Sequence, residues 1–428
     1  MEVFILVISF IILLGIGVPI AWSIGLSSIF TMLVSIPAIP AFTTVAQRMA
    51  TGLDSFSLLA IPFFILAGQI MNRGGIARRL IAFARTLVGS LPGGLAHVNI
   101  ISAMMFGAIA GSAVAAASAI GSFMTDEMEN EGYSKEFAAA VNITSSTTGL
   151  VIPPSNVLIV YSLASGGVSI AALFLAGYIP GILTGLFLMI VAAIWSKKNG
   201  YKVGKRSTLK QVWNSFWAAF PSLLLLVVVI GGIVAGIFTA TEASAVAVLY
   251  CLILTYFYKE VAFSELPDIF LASVGTTAIV MLLIGTSMSM SWIMAYENIP
   301  QNITAALLSV SDSKIVILLI INLILLFVGI FMDMTPAVLI FTPIFLPVVT
   351  ELGMDPTHFG IVMVLNLCIG ICTPPVGAVL FVGVGVAGTT IQKVIRPLMP
   401  FFIAMLVALM LVTYIPELSL WLPRMFGF

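Results

Sequence analysis

A single aspartate stands in an otherwise apolar stretch, in the segment Phe331-Met332-Asp333-Met334. A carboxylate at membrane depth costs at least about 2.5 kcal/mol, so it needs a partner there. Asp333 is therefore a candidate ligand for sodium, either directly or through a second layer of ligands, or a candidate proton carrier. The alternative is a helix cap, because Asp-x-Thr-Pro is favourable at a helix start. We interpret Asp333 as functional.

Two other segments, 149–154 and 370–375, are similar to each other. Each begins with glycine and ends with a double proline, and the two segments are 221 positions apart. A double proline removes two backbone donors and favours extended chain. In a membrane such backbone is tolerated only where it is buried in protein or lines a wet cavity. Paired interrupted spans in corresponding halves of a chain point to the binding site of a transporter.

Unwound helix ends expose carbonyl oxygens, which suit a hard cation such as sodium. The candidate sodium ligands of the first half are Gly107, Ser112, Ser145, Thr148, Gly149 and Pro153. Those of the second half are Gly329, Phe331, Asp333, Asn366, Gly370, Thr373 and Val376. The polar run 144–148 is unusual in an apolar span. Its hydroxyls could coordinate a cation or contact a substrate, or they could bond back to carbonyls of their own helix.

The composition places these segments in a membrane. Hydrophobic residues make up 61% of the 428 residues, charged residues 8%, and the mean hydropathy is +1.21. Soluble domains carry roughly 25% charged residues, so a water-soluble chain is excluded. The net charge is zero, so the chain lacks the excess of basic residues that is typical of nucleic-acid-binding proteins. A span needs about 20 apolar residues, and candidate spans lie at 3–35, 56–71, 214–238, 241–258, 269–294, 315–332 and 398–415.

No catalytic constellation and no ATP-binding P-loop motif occurs in the sequence, so we do not expect an enzyme. Transport energy is expected from an ion gradient or from a separate protein. The cysteines Cys251, Cys368 and Cys372 lie in apolar stretches, and we expect neither a disulfide nor a zinc site from them. Sodium is the expected bound ion, with no organic cofactor.

Basic residues divide the chain into two halves. One loop holds Lys197, Lys198, Lys202, Lys205, Arg206 and Lys210 without an acidic residue. The positive-inside rule predicts a cytoplasmic linker at 197–212, between a first repeat at 1–196 and a second at 213–428. A second basic segment, from Arg73 to Arg85, predicts an amphipathic surface helix. Its counterpart at 294–306 has no Lys or Arg, so the two repeats are expected to be inverted.

Two stretches are too interrupted to be plain spans. Residues 104–124 are crowded with Gly, Ala and Ser, and residues 328–347 contain Pro336, Pro343 and Pro347. We predict re-entrant hairpins at about 94–124 and 315–350, with tips near Gly111-Ser112 and near Asp333 to Pro336. Broken helices are predicted at about 136–163 and 358–388. An ordinary helix packed through small residues is the alternative for the first hairpin.

Four stretches resemble the large membrane subunit of the tripartite ATP-independent periplasmic (TRAP) transporters: 107–112, 149–155, 236–243, and 373–377 followed by 380–382. The resemblance implies an all-α polytopic membrane protein of the inverted-repeat elevator type, with a scaffold and a transport domain that carries both hairpins. It also implies sodium-coupled import of an organic acid, such as a C4-dicarboxylate or a sialic acid. The implied partners are a small four-helix membrane subunit and a soluble periplasmic binding protein, and the implied location is the bacterial inner membrane.

The leading hypothesis places the substrate between the two hairpin tips and the two broken helices, where helix N-termini favour anions. The candidate substrate residues are Gly111, Ser112, Ser146, Pro154, Ser155, Thr335, Pro375 and Gly377. A stand-alone sodium-dependent dicarboxylate or citrate carrier is the first alternative, and uptake without a binding protein would favour it. A channel or a scaffold subunit is the second alternative, which transport unaffected by Asp333→Ala would favour.

Overall fold

The computed structural model describes residues 2–201, 204, 206–311 and 313–428, and within them the chain folds into helices joined by short connections. Lys202 and Lys205 of the predicted linker lie outside these residues. The helices of the first half are α1 Glu2–Gly15, α2 Ile20–Ser35, α3 Ala38–Leu53, α4 Ala60–Arg73, α5 Ile76–Val88, α6 Gly94–Ala110, α7 Ala113–Asn130, α8 Lys135–Thr148, α9 Asn156–Ala164 and α10 Ile170–Lys198.

The second half repeats the order of a helix pair with a very short turn followed by an interrupted helix. Its helices are α11 Leu209–Val234, α12 Ala240–Tyr258, α13 Leu266–Tyr296, α14 Ile299–Val310, α15 Lys314–Phe331, α16 Met334–Glu351, α17 Pro356–Gly370, α18 Ala378–Val386, α19 Ile391–Tyr414 and α20 Glu417–Met425. Short 3-10 turns at Phe56–Leu59 and Phe263–Glu265 precede α4 and α13.

Eight of the described helical segments are long and apolar enough to cross a membrane. They expose large apolar side chains such as Ile194, Val227 and Leu323, which suits contact with lipid chains rather than water. The expectation of an all-α polytopic membrane protein is confirmed. The expected span at 3–35 is wrong, because α1 and α2 are separate helices. Gly17 adopts a positive φ of 86° between them, and Pro19 precedes the first residue of α2.

The two predicted hairpin ranges contain helix pairs with very short turns. Helices α6 and α7 meet at Gly111 and Ser112, and α15 and α16 meet at Met332 and Asp333. The predicted broken helices are likewise interrupted at the double prolines, between α8 and α9 and between α17 and α18. Pro336 falls in the first turn of α16 and not in the second tip, because the helix already begins at Met334.

The two halves interlock through these interrupted elements. Helix α7 of the first hairpin packs against α18, and α16 of the second hairpin packs against α9. Each hairpin therefore contacts the far half of the broken helix from the other repeat. Helices α8 and α17 also meet directly, where the Cys368 thiol donates to the carbonyl oxygen of Thr147 at 3.3 Å.

Within each repeat the first hairpin helix crosses the broken helix at a pair of glycines. A methyl group added to Gly149 would stand 2.5 Å from the Cα of Gly107. A methyl group added to Gly370 would stand 2.5 Å from the Cα of Gly329. Real Cβ atoms do not approach other atoms so closely, so each crossing requires backbone against backbone. These four glycines thus fix how each hairpin sits on its broken helix.

Helix ends outside the hairpins follow local sequence chemistry. The predicted amphipathic segment is α5, with Ile76 and Leu80 buried and Arg85 exposed. Helix α10 ends at Lys198 and α11 begins after Thr208, so the connection between the halves is shorter than the predicted linker at 197–212. The N-cap residue of α12 is Thr239, which forms a capping box with Glu242.

The glycine crossing predicts that alanine substitutions at two helical glycines change the free energy of unfolding in opposite directions. Gly370→Ala should lower the free energy of unfolding by about 1–3 kcal/mol, because the new methyl group overpacks against Gly329. Gly275→Ala in α13 has no atom within 4 Å of the new methyl group, so it should stabilise by up to about 1 kcal/mol. Thermal unfolding of both variants in detergent measures the difference. Equal shifts for the two variants would contradict the proposed role of the crossing.

The capping box gives a smaller prediction. Thr239→Ala should cost about 1 kcal/mol of stability, because the N–H of Glu242 loses its acceptor at 3.2 Å. The control is Thr350→Ala, an exposed threonine whose hydroxyl donates to carbonyls of its own helix. The same unfolding assay should show a larger loss for Thr239→Ala than for the control, and the reverse order would refute the capping role.

Candidate functional site

A cavity of about 230 Å³ lies where the two hairpin tips meet the first broken helix and the helices α4 and α13. The first tip contributes residues 110–115, and the second contributes Asp333, Met334 and Thr335. The broken helices contribute Leu150, Asn156, Val157, Val160 and Ile371, and the opposite wall contributes Ile61, Ile65, Gly68, Gln69, Asn72, Thr276 and Val280. The cavity therefore joins elements of both repeats.

Three helices begin at this cavity. Ser112 precedes α7, and its hydroxyl oxygen accepts from the N–H of Ala115 at 3.2 Å. Helix α9 begins at Asn156, two residues after the double proline, and α16 begins at Met334. The first N–H groups of a helix have no acceptor within the helix and carry a partial positive charge. Three such ends around one cavity form a site suited to an anionic group.

Asp333 is the sole ionisable residue among those that line this cavity, and its side chain is exposed there. It occupies the N-cap position of α16, as the alternative reading of the sequence expected, but it makes no capping hydrogen bond. No Lys, Arg or His is part of the described lining. An anion bound here would thus rely on backbone N–H groups and on neutral side chains.

The predicted substrate residues divide into two groups. Gly111, Ser112 and Thr335 line the cavity. Ser155 was also predicted to line it, but its neighbour Asn156 does so instead. The Ser155 hydroxyl instead donates to the carbonyl oxygen of Leu150 at 2.5 Å, which keeps that side chain buried.

The second group lies elsewhere. Ser146 is buried and donates to the carbonyl oxygen of Asn142 at 2.6 Å. Pro154 is buried without lining the cavity, and Pro375 and Gly377 also do not line it. The second broken segment reaches the cavity through Ile371 alone among the described lining residues. Prolines of both double-proline segments were expected to line this cavity, but none of them is among its described lining residues.

The wall formed by α4 and α13 was not predicted from the sequence. Gln69 and Asn72 stand three positions apart on α4, and Thr276 lies on α13. Both helices read as plain apolar spans, because their few glycines and prolines are scattered and form neither a double proline nor a run of small residues. The available signal was the amide pair itself, because two uncharged polar residues in a span are costly unless they meet polar groups.

Polar side chains of the first repeat lie where α6 crosses α8. The hydroxyl of Ser145 donates to the side-chain oxygen of Asn99 at 3.2 Å, and both residues are buried. The hydroxyl of Ser102, one turn from Asn99, is buried and has no hydrogen-bond partner. Oxygen atoms in this setting are suitable ligands for a small hard cation.

The second repeat places an amide pair at the corresponding crossing of α15 and α17. The amide of Asn366 donates to the side-chain oxygen of Asn322 at 2.7 Å and to its carbonyl oxygen at 2.9 Å. Asn322 in turn donates to the hydroxyl of Thr413 at 3.2 Å. The side-chain oxygen of Asn366 itself is buried and has no partner. Ser145 and Asn366 are separated by the same 221 positions as the double prolines, so each repeat presents oxygens at an equivalent place.

The hydroxyls of the run 144–148 bond back to their own helix. The hydroxyl of Thr144 donates to Ala140 at 2.8 Å, and that of Thr148 donates to Ser145 at 2.6 Å. Back-bonding uses the hydroxyl proton and leaves oxygen lone pairs, so it does not remove these groups as cation ligands.

The remaining candidate sodium ligands occupy mixed surroundings. Gly107, Gly149, Gly329 and Gly370 form the two backbone crossings. Pro153 is buried, whereas the ring of Phe331 and the side chain of Val376 are exposed, so these two residues could contribute only their carbonyl groups. The hydroxyl of Thr373 donates to Ile369 at 2.7 Å. Among the described residues, no group of three or more His, Cys, Asp or Glu side chains could hold a metal ion.

Comparison with known proteins identifies the family. The family model described as "Tripartite ATP-independent periplasmic transporter, DctM component" matches residues 7–418. A Salmonella typhimurium protein described as uncharacterized protein YgiK is 57% identical, with 98% of this chain and 96% of that protein covered.

Two relatives carry more specific descriptions. The C4-dicarboxylate TRAP transporter large permease protein DctM of Rhodobacter capsulatus is 39% identical, with 96% of each chain covered. The sialic acid TRAP transporter large permease protein SiaM of Vibrio cholerae is 40% identical, with 89% of each chain covered.

A solved structure shares the fold. The YdaH transporter of Alcanivorax borkumensis superposes with a TM-score of 0.60 at 13% identity, with 91% of this chain and 89% of that chain covered. The family match and the relatives extend over almost the whole chain and agree with the apolar helices described above. This multi-pass protein of the bacterial inner membrane therefore belongs to the DctM component family, the large membrane subunits of the TRAP transporters.

Proposed function

We propose that this chain is the translocation subunit of a sodium-coupled importer of an organic acid. The observation that carries the proposal is the convergence of three helix N-termini on one cavity whose described lining has no cationic side chain. Such a site binds a carboxylate through backbone N–H groups, which keep their charge at every pH. The relatives described as C4-dicarboxylate and sialic acid permeases support an acid as the substrate.

Sodium is proposed as the driving ion and is carried with the substrate. Asn366 offers a buried oxygen without a partner, and Ser102 offers another in the first repeat. An unpaired buried oxygen costs about 1–3 kcal/mol, which a bound cation would offset. The residues that would hold the ions are Asn99, Ser102 and Ser145 in one repeat and Asn322 and Asn366 in the other. Asp333 remains a predicted ligand for sodium, directly or through a second layer of ligands, or a predicted proton carrier.

Sodium would couple to the acid through the glycine crossings. The oxygens of Ser145 and Asn366 lie on α8 and α17. Gly149 follows α8 directly, and Gly370 is the last residue of α17. A cation between hairpin and broken helix would hold both in place, and the helix N-termini at the tips would then be set for the anion. Without bound sodium, the anion site would be less ordered. Binding of sodium would therefore favour binding of the acid.

The moving part in this proposal consists of the hairpins α6–α7 and α15–α16 with the broken helices. Helices α4, α12 and α13 would form the fixed scaffold, since α4 packs against both of the others. A small four-helix membrane subunit is proposed to pack on that scaffold. A periplasmic binding protein is proposed to deliver the acid, in keeping with the tripartite composition of the family.

Reconstitution tests the whole proposal. The chain and its small subunit would be placed in liposomes, and uptake of labelled succinate and sialic acid would be measured with and without an inward sodium gradient and the binding protein. We expect uptake of one acid that requires both. Uptake with sodium alone would support a stand-alone carrier instead, and absence of uptake of either acid under any gradient would contradict the proposed function.

Substitution of Asn366 tests the sodium site. Asn366→Leu removes the unpaired oxygen, so the sodium concentration for half-maximal uptake should rise at least tenfold while the preference among acids stays the same. The control is Asn302→Leu, since Asn302 is exposed on α14 away from the crossing. An unchanged sodium dependence in a folded Asn366→Leu protein would remove this residue from the site.

A further inference from the structure

The cavity has two chemically different walls. One wall consists of the helix N-termini at Ser112, Asn156 and Met334, which present backbone N–H groups. The other wall consists of α4 and α13, which present side chains. Gln69 and Asn72 of α4 lie on one helix face, because residues three apart are neighbours on a helix. A ligand whose carboxylate meets the first wall must therefore direct its other end to the amides of the second.

Helix α4 contacts the end of α6 through backbone in this structure. A methyl group added to Gly68 would stand 3.0 Å from the carbonyl oxygen of Ala110 and 3.1 Å from its Cα. Helix α4 and the end of α6 thus approach each other with no side chain between them. Gln69, the next residue, is half-buried and lines the same cavity as Gly111 of the tip. The amide of Gln69 is consequently held beside the ligand space and is not free in solvent.

The hydrogen-bonding inventory of the cavity favours a particular ligand chemistry. Each amide of Gln69, Asn72 and Asn156 offers both donors and an acceptor. A hydroxyl group can satisfy both kinds, because it donates and accepts. A second carboxylate can only accept, so it would leave the amide oxygens without donors. An alkyl end would leave all of them unpaired.

We infer, on the basis of the proposed function, that Gln69 and Asn72 select the substrate, and that this substrate is a monocarboxylate with hydroxyl groups at the end remote from its carboxylate. Sites built to hydrogen-bond a hydroxyl discriminate strongly against analogues that lack it, because the polar groups of the protein are then left unpaired. Gln69 and Asn72 are specificity-determining residues in this assignment, whereas the helix N-termini bind any carboxylate.

Three six-carbon acids separate the possibilities. Gluconate has one carboxylate and a hydroxylated chain, glucarate replaces the terminal hydroxymethyl group with a second carboxylate, and adipate has two carboxylates and no hydroxyl. Binding to the large subunit in complex with its small subunit would be measured by calorimetry in detergent at saturating NaCl. The binding protein is left out, so that the selectivity measured belongs to the membrane subunits. We expect gluconate to bind at least tenfold more tightly than adipate, with glucarate between them.

Variants of the α4 wall test the assignment of residues. Gln69→Leu/Asn72→Leu should weaken gluconate binding at least tenfold and change adipate binding less than threefold. The single variant Asn72→Leu alters an exposed position, so it keeps the test available if the double variant does not fold, and it should reduce the ratio of gluconate to adipate affinity at least threefold. Asn302→Leu should leave the ratio unchanged.

The outcomes separate this inference from the proposed function. Equal affinity for gluconate and adipate, or an equal loss for both acids in the α4 variants, would overturn the inference while transport of an acid would still stand. Tight binding of adipate alone would also overturn it and leave the proposed function intact. Binding of none of these acids, together with no sodium-driven uptake of succinate or sialic acid, would remove the proposed function itself.

Discussion

The contact of backbone with backbone at two glycine pairs is the constraint on which the rest of this structure depends. Gly107 lies against Gly149, and Gly329 lies against Gly370, with no room for a single methyl group. These contacts bring each hairpin so close to its broken helix that the hairpin tips reach the unwound segments. A wider separation would leave the unwound backbone facing lipid, where its polar groups would have no partner.

The close crossings also explain where the buried polar groups lie. Asn99 with Ser145, and Asn322 with Asn366, sit beside the crossings and pair across the two helices. Amides in such a position cost free energy unless each donor and acceptor is used. Three side-chain atoms at these crossings remain unpaired: the amide nitrogen of Asn99 and two oxygens, on Ser102 and Asn366, that a cation could use. Packing and ion binding are thus two consequences of the same geometry.

Much of the fold follows from the sequence, and the residues show why. The tip at Gly111 and Ser112 was predictable because small residues and a serine cap mark a tight turn, and Gly111 adopts the positive φ of 62° that glycine permits. The double prolines marked the breaks for a similar local reason. The separation of α1 from α2 was missed because the apolar pattern continues across Gly17 and Pro19, and local turn chemistry overrode it.

The site was less predictable, because it depends on packing between distant segments. Gln69, Asn72 and Thr276 lie on unbroken helices, and only the tertiary contact of α4 and α13 with the hairpins makes them part of the cavity. Pro154 and Pro375 carry the same local signal, yet neither lines the cavity, and the residues near them contribute unequally to it. The two repeats are equivalent in local structure. They are not equivalent around the cavity, because each repeat contributes different residues to its lining.

The contact between Thr147 and Cys368 joins two residues separated by the 221 positions that relate the repeats. A residue that touches its own counterpart lies on the axis that relates the two halves. In a dimer of identical chains, such a place would always bring together two copies of one residue. Joining both copies in a single polypeptide lifts that restriction, and here a thiol from one copy donates to a main-chain oxygen of the other, beside a threonine side chain. The axis is therefore a place where the two halves have acquired different chemistry while keeping the same backbone path.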